Sequence, residues 1–70
     1  MSNKPRPIIE KDKNGNLVYL AIWKEVDDPD GGTTVVVTKA HIQAYWSKND
    51  LCWIYADQQK VMESVVGIFD

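Results

Sequence analysis

The stretch that decides the fold of this chain reads Leu17-Val18-Tyr19-Leu20-Ala21-Ile22-Trp23-Lys24-Glu25-Val26. Its aliphatic and aromatic composition predicts a β-strand, in which successive side chains point to opposite sides. One side carries Val18, Leu20, Ile22 and Val26, and the other carries Leu17, Tyr19, Ala21 and Trp23. Since neither side is polar before Lys24, we expect both sides to be covered, either by the rest of the chain or by a partner.

Turn signals lie on both sides of this strand. Asn14-Gly15 precedes it, and both residue types tolerate the positive φ angles that tight hairpin turns need. Residues 27–32 follow it and combine aspartates, a proline and two glycines, a composition typical of a turn. Residues 33–38 are β-branched throughout. Together with a strand at 7–12, they predict a three-stranded antiparallel meander.

The C-terminal half predicts two helices and one more strand. Thr38 can cap a helix at 39–47, where apolar residues at i, i+3 and i+4 share one side. Residues 51–55 favour a fourth strand by composition, although 50–66 also fits a single helix, and we choose the strand. Asp57 then caps a last helix that runs through residue 66.

These elements define the expected fold class, which is α+β. The expected order is a small antiparallel β-meander, a short helix, a fourth strand and a C-terminal helix. Seventy residues make one domain at most. Residues 1–6 are interpreted as a flexible N-terminal arm, because Pro5 removes a backbone donor and restricts its neighbour. Residues 7–70 are interpreted as a single α+β domain.

The composition limits how so short a domain can be stabilised. Cys52 is the single cysteine, so no disulfide can form within the chain, and Cys52 with His41 supplies too few ligands for structural zinc. Three tryptophans, three tyrosines and one phenylalanine leave an aromatic core or a partner as the source of stability. The unpaired cysteine predicts a cytoplasmic protein, and no apolar run approaches the roughly 18 residues of a membrane span.

The charge of the chain is distributed unevenly. The net charge is −2, but residues 1–24 carry a local charge of +3 and residues 25–30 a local charge of −4. A protein that wraps duplex DNA normally shows a basic surplus. The charge therefore disfavours nucleic acid as the partner and favours a protein.

No group of residues in the sequence predicts catalysis, a metal site or a cofactor. The acidic segment 27–32 lacks the glutamate that ends an EF-hand loop, since Thr38 stands at that position. Cys52 and His41 belong to no nucleophile signature. A helix-turn-helix interpretation fails because residues 51–55 offer no Arg, Asn or Gln to base edges. We therefore expect a protein that is not an enzyme.

The candidate binding residues centre on Tyr19 and Trp23, which share one side of the predicted strand. Aromatic rings are mostly buried, so a helix that covers this side is the commoner outcome. Left uncovered, the rings suit the centre of a protein interface, with Trp23 as its main contact. The charged residues expected at its rim, or in the acidic turn that steers a basic partner, are Lys24, Glu25, Asp27, Asp28 and Asp30.

The sequence therefore favours a small protein-binding module of inhibitor or adaptor type, which binds another protein or a second copy of itself. Chains so short and free of motifs are common among phage and mobile-element proteins that occlude a host protein, a class-level association that no residue here carries. Two alternatives remain. One is an accessory subunit that completes the site of a larger enzyme. The other is a single-stranded nucleic-acid-binding protein that uses Tyr19, Trp23, Lys11, Lys13 and Lys24.

Overall fold

The computed structural model describes residues 4–70, and residues 1–3 of the predicted arm lie outside the described residues. Five strands and one 3-10 turn form within this range. The strands are β1 (Tyr19–Asp27), β2 (Thr33–Lys39), β3 (Ala44–Ser47), β4 (Cys52–Tyr55) and β5 (Val65–Phe69), and the turn covers Glu10–Asp12. One sheet has the order β2-β1-β5, and β3 pairs with β4 in a second sheet. All these pairs are antiparallel.

The expected α+β class is wrong, because the regular elements of residues 4–70 are β-strands and one short 3-10 turn, without an α-helix. The hairpin predicted from 17–26 and 33–38 is present as β1 and β2, and the strand predicted at 51–55 is present as β4. Neither predicted helix forms. No helix in the described part of the chain is long and apolar enough to cross a membrane.

The helix predicted at 39–47 is replaced by β3. The apolar spacing of Ile42, Tyr45 and Trp46 fits a helical face, but Trp46 lies opposite Trp53 across the β3–β4 pair. Their ring centroids are 5.5 Å apart in an edge-to-face arrangement. A cross-strand aromatic pair of this kind stabilises a hairpin beyond the area that it buries. This cross-strand contact outweighs the helical spacing of three residues.

The predicted C-terminal helix is replaced by irregular chain and by β5. Residues 65–69 read Val-Val-Gly-Ile-Phe, which combines β-branched residues with a glycine that disfavours a helix. β5 pairs with β1, with Phe69 opposite Tyr19. It thereby occupies the side of β1 that the prediction gave to a strand at 7–12, where Glu10–Asp12 instead forms the 3-10 turn.

The outer edge of β5 is covered by Arg6, from the described part of the predicted arm. Arg6 and Ile68 exchange two main-chain hydrogen bonds of 2.9 Å. A Cβ atom at Gly67 would lie 2.6 Å from the carbonyl oxygen of Arg6, so the close passage of these segments requires glycine. The Arg6 guanidinium also binds Asp12 at 2.7 Å and Asp70 at 2.6 Å.

The core lies where the first half of β1 meets the β3–β4 hairpin. Val18, just before β1, pairs with Ala44 at the start of β3 and so links the two sheets. The buried cluster consists of Leu20, Ile22, Ala40, Ala44, Trp53, Tyr55 and Ile68. Beyond Ile22, β1 leaves this cluster and continues in register with β2 only. The end of the β1–β2 hairpin therefore projects from the core.

Candidate protein-binding surface

The register of the β1–β2 hairpin decides which side chains share a side. Directly opposite residues of an antiparallel pair point to the same side of the sheet. Trp23 lies opposite Val37, and Glu25 lies opposite Val35. On the other edge of β1, Tyr19 lies opposite Phe69. We call this side the aromatic face and define it by Tyr19, Trp23, Val35, Val37 and Phe69.

Four residues of the aromatic face are substantially exposed to solvent. The exposed fraction is 53% for Trp23, 52% for Val35, 47% for Val37 and 37% for Tyr19. The intervening residues Leu20 and Ile22 point the other way into the core, where they are 0% and 4% exposed. The helix that was expected to cover these rings is not formed within residues 4–70. The face is thus apolar and open to contact.

Charged side chains lie at the two ends of the aromatic face. At the base, the Lys39 ammonium lies 4.4 Å from the ring centroid of Tyr19 and 5.9 Å from that of Phe69. Such cation–π contacts hold a positive charge against the rings. At the tip, Glu25 and Asp27 share the side of Trp23, because alternate residues of a strand point the same way. The face is therefore positive at its base, apolar at its centre and negative at its tip.

The acidic turn closes the tip of the hairpin. The Asp28 carboxylate accepts a 3.0 Å hydrogen bond from the backbone N–H of Asp30. The backbone N–H of Asp28 donates to the Gly32 carbonyl, also at 3.0 Å. Gly31 and Gly32 have φ angles of 86° and 130°, which side-chain-bearing residues rarely adopt. The turn thus presents its carboxylates at an exposed end while using one of them to hold its shape.

The structure brings four of the predicted site residues onto one face and separates the others. Tyr19 and Trp23 belong to the aromatic face. Glu25 and Asp27 lie on the same side towards its tip, and the loop residues Asp28 and Asp30 lie beyond that tip. Lys24 lies opposite Val36 and points to the other side of the hairpin.

The lysines named for a nucleic-acid surface do not join the aromatic face as a group. Lys24 points away from it, as its pairing with Val36 shows. The ammonium of Lys13 lies 4.4 Å from the ring centroid of Trp46, a residue of the β3–β4 hairpin. Lys13 and Lys24 therefore do not contribute to a basic groove beside Tyr19 and Trp23, of the kind that a single-strand binder places beside its stacking rings.

Four residues of this surface were missed by sequence reasoning: Val35, Val37, Lys39 and Phe69. The β-branched run at 33–38 indicated a strand, but its contribution to the same face as Trp23 depends on the hairpin register. The turn at 27–32 could have indicated this register, because a hairpin turn fixes which residues lie opposite each other. Phe69 carried no such signal, since it follows the predicted helix that ends at residue 66.

The side chains whose pKa values are shifted lie outside the aromatic face and make contacts within the fold. The hydrogen bond from Arg6, followed by one from the backbone N–H of Ile9, lowers the pKa of Asp12 to about 2. Asp12 and Asp70 in turn raise the pKa of Arg6. Burial raises the pKa of Tyr55 to about 12, with a further contribution from its 2.8 Å hydrogen bond to Glu63. Among these contacts, the ion pair between Arg6 and Asp70 connects distant parts of the chain.

The candidate metal and nucleophile residues lie outside the aromatic face. Residues 4–70 contain no group of three or more His, Cys, Asp or Glu side chains that could hold a metal ion. Cys52 is half-buried, and the His41 ring packs at 5.0 Å against the ring of Tyr55. An open depression of about 310 Å³ is lined by Gly15, Leu17, Tyr45, Ala56 and Gln58, without a charged side chain. Comparison with protein-family models, curated proteins and solved structures found no match to this chain.

Proposed function

We propose that this chain is a small, non-enzymatic protein-binding module that contacts another protein through the aromatic face. The observation that carries the proposal is the half-exposed Trp23 ring beside an equally exposed Val37, on a hairpin that projects from the core. Trp and Tyr dominate protein interfaces because they bury large areas on contact at little cost in rotamer entropy. The unpaired Cys52 supports a reducing, cytoplasmic setting for this function.

The proposed contact has an apolar centre and charged ends. Trp23, Val35 and Val37 supply the area that loses water, and Glu25 lies at the rim. The acidic turn extends beyond the apolar centre and attracts a basic partner before contact. Charges placed in this way raise the association rate more than the affinity. A partner with an apolar groove bordered by lysines or arginines therefore fits this surface.

Capture from a native cell extract tests this proposal with three forms of the chain. The wild type is compared with Trp23→Ala and with Met62→Ala, because Met62 is 86% exposed and lies outside the β1–β2 hairpin. We expect one protein to be retained by the wild type and by Met62→Ala and to be lost from Trp23→Ala. Equal retention by all three forms would contradict the proposal.

A further inference from the structure

The outer edge of β2 is an unpaired row of main-chain groups. β2 is an outer strand of the sheet with the order β2-β1-β5. Among residues 4–70, no main-chain hydrogen bond reaches its outer edge. The other outer strands are covered in part, since Arg6 pairs with Ile68 of β5 and Lys60 pairs with Ile54 of β4. Within residues 4–70, β2 therefore has an outer edge that is open along its whole length.

The main-chain groups of successive β2 residues point alternately towards β1 and away from it. This alternation shows which N–H and C=O groups lie on the open edge. The backbone N–H of Trp23 donates to the Ser64 carbonyl, on the side of β1 away from β2. Its partner Val37 is therefore a non-hydrogen-bonded position of the β1–β2 pair, with its N–H and C=O directed outward. By the same alternation, the N–H and C=O groups of Thr33, Val35 and Lys39 also point outward.

The sequence of β2 lacks the features that protect an edge strand. It reads Thr33-Thr34-Val35-Val36-Val37-Thr38-Lys39, with one charge at its end and no proline. Natural proteins normally blunt an exposed edge with inward charges, prolines or bulges, because bare edges pair with other chains. No register shift occurs along the β1–β2 pair. The edge is thus free of bulges, rich in β-branched residues and suited to receive another strand.

The same sequence is nearly symmetric about Val36. Val35 and Val37 flank the centre, followed by Thr34 and Thr38, and then by Thr33 and Lys39. Two copies arranged antiparallel about a two-fold axis at Val36 place residue 35 opposite residue 37. Residue 33 then lies opposite residue 39. Each residue whose N–H and C=O groups point outward is therefore paired with a residue of the second copy whose N–H and C=O groups also point outward. This register uses the full length of both edges.

We propose that two copies of this chain pair through their β2 edges, antiparallel about a two-fold axis at Val36, and form one continuous sheet. This pairing goes beyond the proposed function, because it uses the main chain of the edge and leaves the aromatic face free. An antiparallel strand added to an open edge gains affinity from main-chain hydrogen bonds and selectivity from side-chain pairs. The symmetry of β2 favours a second copy over an unrelated strand.

The side chains match across the proposed axis. Val37 lies opposite Val35 of the second copy, so the apolar centre of the aromatic face continues from one copy into the other. Lys39 lies opposite Thr33 of the second copy, whose neighbour on β1 is Asp27. No like charges are directly opposite each other within this register. The two Val36 side chains meet on the side away from the aromatic face, at a non-hydrogen-bonded position where side chains are closest.

Sedimentation over a concentration series tests the pairing. We expect the wild type to show a monomer–dimer equilibrium and Val36→Thr to keep it. In Val36→Glu the two new carboxylates face each other across the axis, while each gains Lys24 of its own copy as a favourable neighbour. We expect the dimer dissociation constant of Val36→Glu to rise by at least about tenfold, with an unchanged circular dichroism spectrum.

A mixing experiment tests the register. Val36→Lys alone is likewise expected to form a weaker dimer than the wild type. An equimolar mixture of Val36→Glu and Val36→Lys is expected to form a heterodimer more tightly than either variant pairs with itself, since opposite charges then meet at the axis. A wild type that stays monomeric over the series, or a mixture that does not associate, would overturn the pairing. A dimer that persists in Val36→Glu and is lost in Trp23→Ala would also overturn it, and would instead support contact through the aromatic face.

Discussion

Trp23 and Val37 lie directly opposite each other in the β1–β2 pair, and their exposed fractions are 53% and 47%. A cross-strand pair of this kind normally stabilises a sheet by packing against a covered face. Here the pair lies beyond the buried cluster, on a hairpin that projects from it. Much of the apolar area of the pair therefore remains available for contact with another molecule.

Asp12 makes the stability of the domain depend on pH in the acid range. Its hydrogen bonds to Arg6 lower its pKa from 3.8 to about 2 in the folded state. A lowered folded-state pKa contributes stability that is present above 3.8 and is lost as the pH falls towards about 2.

Urea unfolding of the wild type and of Asp12→Asn, from neutral pH down to about pH 2, measures the contribution of Asp12 to the free energy of unfolding. We expect the variant to be less stable at neutral pH and the difference to shrink as the pH falls from 3.8 to about 2. Asp50→Asn, which removes an exposed carboxylate that accepts a hydrogen bond from Ser47, is the control. A difference between wild type and Asp12→Asn that is constant down to pH 2 would contradict this role.

Gly67 is expected to tolerate no side chain. An added Cβ would lie 2.6 Å from the Arg6 carbonyl oxygen and 3.3 Å from the Pro5 side chain. We expect Gly67→Ala to lower the free energy of unfolding by roughly 1–3 kcal/mol, the usual cost of overpacking a close contact. Val66→Ala, at the exposed neighbouring position, serves as the control for urea unfolding and is expected to cost less. Equal stability of Gly67→Ala and wild type would show that the 5–6 segment can move away from β5.

Single-stranded oligonucleotide is expected to leave the tryptophan fluorescence unchanged at low salt. The reason is that Lys24 points away from the aromatic face and Lys13 lies against Trp46. A single-strand binder needs a basic groove beside its stacking rings, and its binding weakens as salt increases. Quenching at low salt that is reversed by added salt, and that disappears in Trp23→Ala, would restore the nucleic-acid alternative.

The hairpin could be predicted from the sequence because its signals are local. The glycine-containing turn at 27–32 and the β-branched run at 33–38 specify β1 and β2 by themselves. The alternation along β1 also separated Leu20 and Ile22 from Tyr19 and Trp23, as the structure has them. Alternation does not show which side is covered, because that depends on elements distant in the sequence.

The helices could not be excluded by local reasoning. Ile42, Tyr45 and Trp46 satisfy a helical spacing, and the contact between Trp46 and Trp53 that favours a strand appears only once the hairpin is formed. Similarly, residues 7–12 were placed beside β1, although β5 pairs there with Arg6 on its outer edge. These choices are set by tertiary contacts, which short apolar patterns do not specify.

The central claim is that the aromatic face serves contact with a partner and does not belong to the core, and the free energy of unfolding of Trp23→Ala tests it most directly. Leu20→Ala is the matched comparison, because Leu20 lies three residues before Trp23 in the same strand and is 0% exposed. We expect Trp23→Ala to remain folded and to lose about 1 kcal/mol, the size of one cross-strand pair, whereas Leu20→Ala should lose about 2–5 kcal/mol. An unfolded Trp23→Ala, or a loss as large as that of Leu20→Ala, would contradict the claim.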